Sequence, residues 1–356
     1  MKWSTTLAAL GFAICLTACH RNPPLTLQEQ EIVTELTANL TPRCVGRYVI
    51  DMPGDVLVFG DATLNGVKVE AQAMTQKDYE DAMEARSQEL KSIKTHTGPQ
   101  FLYADGTVNG IKGSRYFISQ GDINVLSPAT RIIESYKWHH GYQIKLQIEG
   151  SDFTNPDQTD DPIVKQLTDK NDVPEKLRLV ISMLERIRGR TEDEIPTEPG
   201  VCFVGGFLPG RATAQENIST QFVLKNKHDV GFDFDTDANI RETTTLLQRG
   251  ADINAMLKQN EGRTIRKGRV DLSGMETEEW LTSGLTYAHI QGHYFALEAN
   301  SREGSAKTPL VTLDMDNGGL PLKGEDPPQK ASLTEGEAVA LWDAVSRTLR
   351  PRPNAF

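Results

Sequence analysis

The sequence predicts an α+β fold: two similar domains from an internal duplication, each a mainly antiparallel sheet with helices packed on one face. Three observations carry this. Strand-like alternation and helical periodicity follow one another in the same order in both halves. Each half opens on a cysteine followed by strand-like residues, CVGRYVIDMP at 44–53 and CFVGGFLPG at 202–210. Each half closes on an amphipathic helix, PEKLRLVISMLERIRGR at 174–190 and TEGEAVALWDAVSRTLR at 334–350. The rival to duplication is two unrelated α+β domains sharing a generic element order.

Residues 1–18 have the parts of a secretory signal: Lys2, the apolar run LAALGFAICL at 7–16, and Leu16-Thr17-Ala18 before Cys19. The run is too short to cross a bilayer, which takes about 20 residues. Leu16-Thr17-Ala18-Cys19 matches a lipobox, so Cys19 is the expected lipidation site and the periplasmic face of a membrane the expected location. His20 rather than Asp after the cysteine favours the outer membrane slightly. Removing residues 1–18 leaves 338 of 356 residues, and losing Lys2 moves the formal charge from −11 to −12. An acidic chain without a basic patch argues against nucleic acid and against peripheral binding to anionic lipid. Cys15 leaves with the signal and Cys19 takes lipid, so Cys44 and Cys202 remain in an oxidising compartment. A disulfide and two buried thiols both fit that pair.

Residues 19–40 supply a short tether, HRNPP, and a helix over 25–40 that Thr41-Pro42 ends. The first domain spans 41–190. After its cysteine segment comes a strand, VKVEAQAM at 67–74. A helix follows, with Thr75 and Asp78 placed as a capping pair. Strands GTVNGIKGSRYFISQ and RIIESYKWHHGYQIKLQIEG precede the closing helix. A polar, proline-rich linker covers 191–200. The second domain, 201–356, repeats the pattern with VGFDFDTD at 230–237. A helix from about residue 240, capped by Asp237 or Asn239, follows, and then strands through YAHIQGHYFALEAN and PLVTLDMD.

Catalytic signatures are missing. There is no GxSxG elbow, no GxxxxGK[ST] loop and no GxGxxG. His289 and His293 have zinc-like spacing, but on a strand such positions lie about 13 Å apart. His139 and His140 read as exposed turn residues. Asp233, Asp235 and Asp237 imitate a calcium loop, yet Ala238 and Thr244 stand where glycine and glutamate are required. Asp160 and Asp161 read as a solvated loop. Trp138, Trp280 and Trp342 are candidate interface anchors, with Trp342 better placed for a core. No catalytic residue, metal site, cofactor or small-molecule substrate is therefore expected.

Three segments together carry a resemblance: CVGRYVIDMP at 44–53, GVCFVGGFLPG at 200–210 and LWDAVSRTLRPRPNAF at 341–356. Their order and spacing resemble the lipase-immunity family of type VI secretion systems, in particular the two-domain immunity proteins against phospholipase effectors of the fourth lipase class. The resemblance implies a partner, a cognate phospholipase effector delivered to the periplasm, held between two domains and inhibited by occupancy. It transfers no contact residue, because the matched motifs are structural; Arg47 and Tyr48 are expected to support the fold. The alternatives are a periplasmic lipoprotein enzyme or an envelope assembly lipoprotein.

Overall fold

The computed structural model describes residues 24–94, 101–121, 129–154, 162–166, 170–272 and 274–356. Cys19, Asp160, Asp161 and the signal segment lie outside them. A first helix, α1 (Leu27–Thr37), is closed by a capping box between Thr26 and Glu29. The chain then traces one pattern twice. The first copy has a hairpin β1 (Leu40–Val45) and β2 (Tyr48–Pro53), a second hairpin β3 (Val56–Leu64) and β4 (Val67–Ala73), and helix α2 (Gln76–Ser92). Four meander strands follow, β5 (Leu102–Gly106), β6 (Arg115–Gln120), β7 (Thr130–His139) and β8 (Tyr142–Ser151). Helices α3 (Pro162–Gln166) and α4 (Val173–Arg186) and the short strand β9 (Arg188–Gly189) end this copy.

The second copy answers element by element. It has β10 (Gly200–Phe203), β11 (Gly206–Pro209), β12 (Glu216–Leu224), β13 (Lys227–Asp237) and helix α5 (Gly250–Gln259). Then come β14 (Arg263–Leu272), β15 (Met275–Leu285), β16 (Gln291–Ala299), β17 (Leu310–Asn317), helix α6 (Glu335–Ser346) and β18 (Arg350–Pro351). The main sheet runs β5-β6-β7-β8-β4-β3 in one copy and β14-β15-β16-β17-β13-β12 in the other. This identical order makes the duplication a property of the topology.

The two half-sheets are continuous. β3 and β12 pair antiparallel from Val56↔Leu224 to Leu64↔Glu216, with Gly60↔Thr220 at the centre, giving one twelve-stranded sheet. Glycine is required there, because a Cβ on Gly60 would sit 2.5 Å from the Ser219 carbonyl and 2.7 Å from a Val204 methyl.

One face of this sheet is covered from end to end. Val67, Val69, Ile144 and Leu146 pack with Val180, Met183 and Leu184 of α4. Phe295, Leu297, Leu313 and Met315 pack with Leu341, Trp342 and Val345 of α6. Trp342 meets Phe295 edge-on at 5.8 Å and donates its indole N–H to Glu279 at 3.1 Å. The β1–β2 and β10–β11 hairpins fill the middle. Each is completed by the other copy: β18 pairs with β2, and β9 with β11.

The expectation that helices share one face is corrected. In each copy the closing helix lies on the covered face, and the middle helix lies on the opposite one. Tyr79 and Met83 of α2 pack on Phe117 and Tyr136, and Arg86 binds Glu134; these sheet residues alternate with those that meet α4. Likewise Gly250, which opens α5, abuts Trp280, which points away from α6. Phe117 and Tyr136 toward one end and Trp280 toward the other stand on this second face, and these large side chains are what the middle helices cover.

The helix expected from residue 240 begins later. Asp237 accepts from the N–H groups of Asn239 and Ile240 at 2.6 and 3.0 Å, but no helix follows there. The three threonines at 243–245 favour extended or turn backbone. Instead Glu278 of β15 accepts from Leu247 N at 2.8 Å and starts a short 3-10 turn, Leu247–Arg249, leading into α5. The 191–200 segment is held throughout rather than loose. Arg188 pairs with Glu194 and Glu198, and Ile195 packs on the cysteines.

Candidate interaction face

The covered face holds the structural signatures. Cys44 and Cys202 form a disulfide with Cα atoms 5.7 Å apart, joining equivalent positions of the two copies across 158 residues. Gly46 and Cys202 exchange backbone hydrogen bonds of 2.9 and 2.8 Å beside it. Arg47, at the tip of the first hairpin, forks onto Glu216 with two bonds of 2.7 Å and also reaches the Gly210 and Ala355 carbonyls. Two further arginines occupy matching places. Arg190 follows β9 and donates from its backbone to Gly205 O; Arg352 follows β18 and donates to Arg47 O. Their buried guanidinium groups serve backbone carbonyls: Phe203 and Gly206 of the other copy for Arg190; Pro196 and Glu198 of the linker and Gly200 at the start of β10 for Arg352. All these groups are occupied within the fold, so they form no interaction site.

Among the described residues, the helical cover of the other face lies toward its two ends, from α2 and from the 3-10 turn with α5. Between them lies an open floor made by β8, β4, β3, β12, β13, β17 and β16. Alternation along each strand sets its residues. Phe59, Asp61 and Thr63 of β3 and Lys68, Glu70 and Gln72 of β4 are exposed, while Ala62, Leu64, Val67 and Val69 between them are buried. Asn217 and Gln221 of β12 continue the exposed row.

The floor is acidic in the second copy. Asp233 of β13 stands directly opposite Asp314 of β17, and Asp316 opposite Tyr294 of β16. Like charges placed across strands repel. Burial, and then the neighbouring carboxylates, push Asp314 up to about 7. Burial with Asp233 pushes Asp316 up to about 6, and Asp233 is itself raised by burial and Asp235. Among the described residues the side-chain partners of these groups are neutral: Tyr294 for Asp314 and Gln221 for Asp233. None of Asp233, Asp235, Asp314 or Asp316 has an ion pair among the described residues. Lys68, the exposed cation of β4 on this floor, is engaged by Glu70 at 3.1 Å. A cavity of about 310 Å³ adjoins the strip, lined by Asn217, Asp235, Asp237, Ile240, Leu310 and Thr312. Two aromatics, Phe59 and Tyr294, stand exposed on the same floor.

The sequence-derived candidates fall in different places. Asp233 and Asp235 belong to the floor, though as one row of a two-strand cluster. His289 lies in the turn before β16 with φ +58°, so it and His293 are not on one strand as expected. His139 is half-buried rather than exposed; it accepts from Gly189 N at 3.3 Å, and burial pushes its ring down to about 4. Trp280 and Trp342 are fully buried and Trp138 donates to Met74 O, so none is an exposed anchor. No group of side chains is arranged to hold a metal ion among the described residues. Asp314, Asp316 and Tyr294 escaped sequence reasoning. Their signal was the acid–apolar alternation shared by VGFDFDTD and LVTLDMDN, which places carboxylates on one face of each strand.

The family model of the Tle cognate immunity protein 4 N-terminal domain matches residues 41–190, and that of the C-terminal domain matches residues 194–354. The chain belongs to this immunity family. It is an immunity protein that binds a type VI secretion effector, and members of the Tle cognate immunity protein 4 family are not enzymes. Solved structures agree in fold. The chain is similar to a structure of a Tle4–Tli4 complex at 20% identity, covering 90% of this chain and 99% of that one, with a TM-score of 0.68. It is also similar to the apo immunity protein TplEi of Pseudomonas aeruginosa at 21% identity, covering 89% and 98%, with a TM-score of 0.68. TplEi with a bound "L" peptide matches at 20% identity over 89% and 99%, with a TM-score of 0.63. No curated protein matches the chain in sequence.

Proposed function

We propose that this protein neutralises a phospholipase effector in the periplasm, from a lipid anchor at Cys19, by seating the effector on the open floor of its twelve-stranded sheet. The observation that carries this is the floor itself. It is broad, flanked by α2 and α5, and holds four aspartates without a cation. An arriving Lys or Arg would supply the missing charge, and Phe59 and Tyr294 offer apolar contact beside it. A standard protein interface buries about 1,600 Å² in all, which a floor of seven strands can provide. Inhibition then needs only occupancy. The lipobox supports the anchor reading, and a lipoprotein cysteine carrying several acyl chains gives stable attachment where one chain does not.

The test is co-expression of a periplasm-directed cognate lipase with this protein, scored by survival and by co-purification. The double substitution D233K/D314K should weaken the complex at least about tenfold while the fold is retained, since rim and floor charges tune association. Undiminished affinity in a folded double variant would remove the floor from the interface. Continued killing with no complex would overturn the inhibitor role itself.

A further inference from the structure

Among the described residues, nine large apolar side chains stand exposed, and five of them sit around one rim of the second copy: Leu27, Met256, Leu285, Tyr287 and Leu320. The rim is where β14 begins, β15 ends, β16 begins and β17 ends. Leu285 N donates to Asn260 O just past α5 at 2.9 Å, and Gly318 lies against Ile290 of the β15–β16 turn. Glu335, at the start of α6, binds Arg263 and approaches His293 at 3.8 Å, so α6 begins at the same rim.

The N-terminal segment arrives there too. Leu25 packs against Gly336, and Thr334 donates to Glu29 at 2.7 Å. Only five residues lie between Cys19 and Leu25, a reach of roughly 20 Å at full extension. An acyl group on Cys19 would therefore keep this rim within roughly 20 Å of the bilayer surface. Tyr287 is 87% exposed and Leu27 80% exposed, and exposed aromatic and aliphatic side chains favour the headgroup boundary. At the rim Arg263 pairs with Glu335, and the exposed Lys258 and Glu261 beside them are of opposite sign, so the local charge balances.

We infer that this rim docks on the lipid bilayer when the protein is anchored, inserting Leu27, Tyr287 and Leu320 at the headgroup level and keeping the open sheet floor off the membrane and accessible. The inference rests on the lipid-anchor reading above. It is tested with the acylated protein in vesicles of phosphatidylethanolamine and phosphatidylglycerol carrying a nitroxide-labelled lipid. Trp280 and Trp342 are buried and Trp138 is half-buried with its indole N–H on Met74 O, so single probes Y287W at the rim and T63W on the floor are read as the difference from the parent protein. Nitroxide lipid should quench the Y287W signal about twofold or more, as for an interfacial aromatic, and leave T63W unchanged. Adding L320E to Y287W should reduce the quenching without releasing the protein from the vesicles. Equal, unquenched emission from both probes on floating vesicles would sink the rim and leave the anchor standing. Equal quenching of both would overturn the orientation. Absence of an acyl mass on Cys19 would overturn the anchor and the rim together.

Discussion

Arg352 and Asp314 show how differently a buried charge can be placed. Arg352 is fully buried yet donates to three backbone carbonyls at 196, 198 and 200. Removing it strands those acceptors, so Arg352→Ala should cost about 3 kcal/mol in urea unfolding, whereas exposed Arg269→Ala should cost almost nothing. Asp314 has neighbours of its own sign. Its carboxyl is raised to about 7, against about 3.9 for an unfolded chain. Between those values the folded state keeps a proton that the unfolded state has lost. The contribution of Asp314 to stability is therefore full below pH 4 and is lost as pH rises through about 7. Asp314→Asn should flatten this slope and raise stability at pH 8 by about 1 kcal/mol, after discounting for partial solvent screening. Melting curves from pH 4 to 8 read both effects. A stability cost retained at the floor is what a binding surface, rather than a scaffold, would keep.

Helix termini follow local rules closely, and helix positions follow tertiary ones. Thr334 and Glu337 form a reciprocal capping box at α6, and Thr75 accepts from Asp78 N at α2. Thr334→Ala should lower stability by about 1 kcal/mol. The effect should exceed that of Thr75→Ala, because α6 buries Trp342 and Leu341 whereas α2 is largely exposed. The start of α5 is set by a residue from another strand, Glu278, which caps Leu247 N. Glu278→Ala should fray residues 245–252, visible as faster amide exchange there with little change elsewhere.

At the scale of the molecule, the two copies are tied by three independent devices: the β3–β12 seam, the exchange of β9 and β18, and the disulfide. The disulfide closes 158 residues, and the chain-entropy model assigns such a loop about 5 kcal/mol. Cys44→Ser with Cys202→Ser should lower the denaturation midpoint substantially while unfolding stays a single transition. The seam and the exchanged strands alone still couple the copies. Two separate transitions in that variant would show that the disulfide is the principal link. A rigid seam also keeps the floor in one piece, so α2 and α5 face one another across a fixed span rather than across a hinge.

Several features were legible in the sequence because they depend on short-range physics. Alternation marked the strands, the Thr75 and Thr334 segments marked helix starts, and the parallel order of the two halves marked the duplication. The matched segments around Cys44, Cys202 and the C-terminus pointed to the family. Other features depend on which strand lies beside which, and local pattern carries no such information. The fusion of two half-sheets through Gly60 and Thr220 is one. The delivery of Arg190 to the opposite copy, and of Arg352 to the linker between the copies, is another. So is the meeting of Asp233 with Asp314, 81 positions later in the chain. Periodicity fixes the face on which a side chain stands. Only strand pairing, set by how the apolar faces close over α4 and α6, decides which side chains share that face.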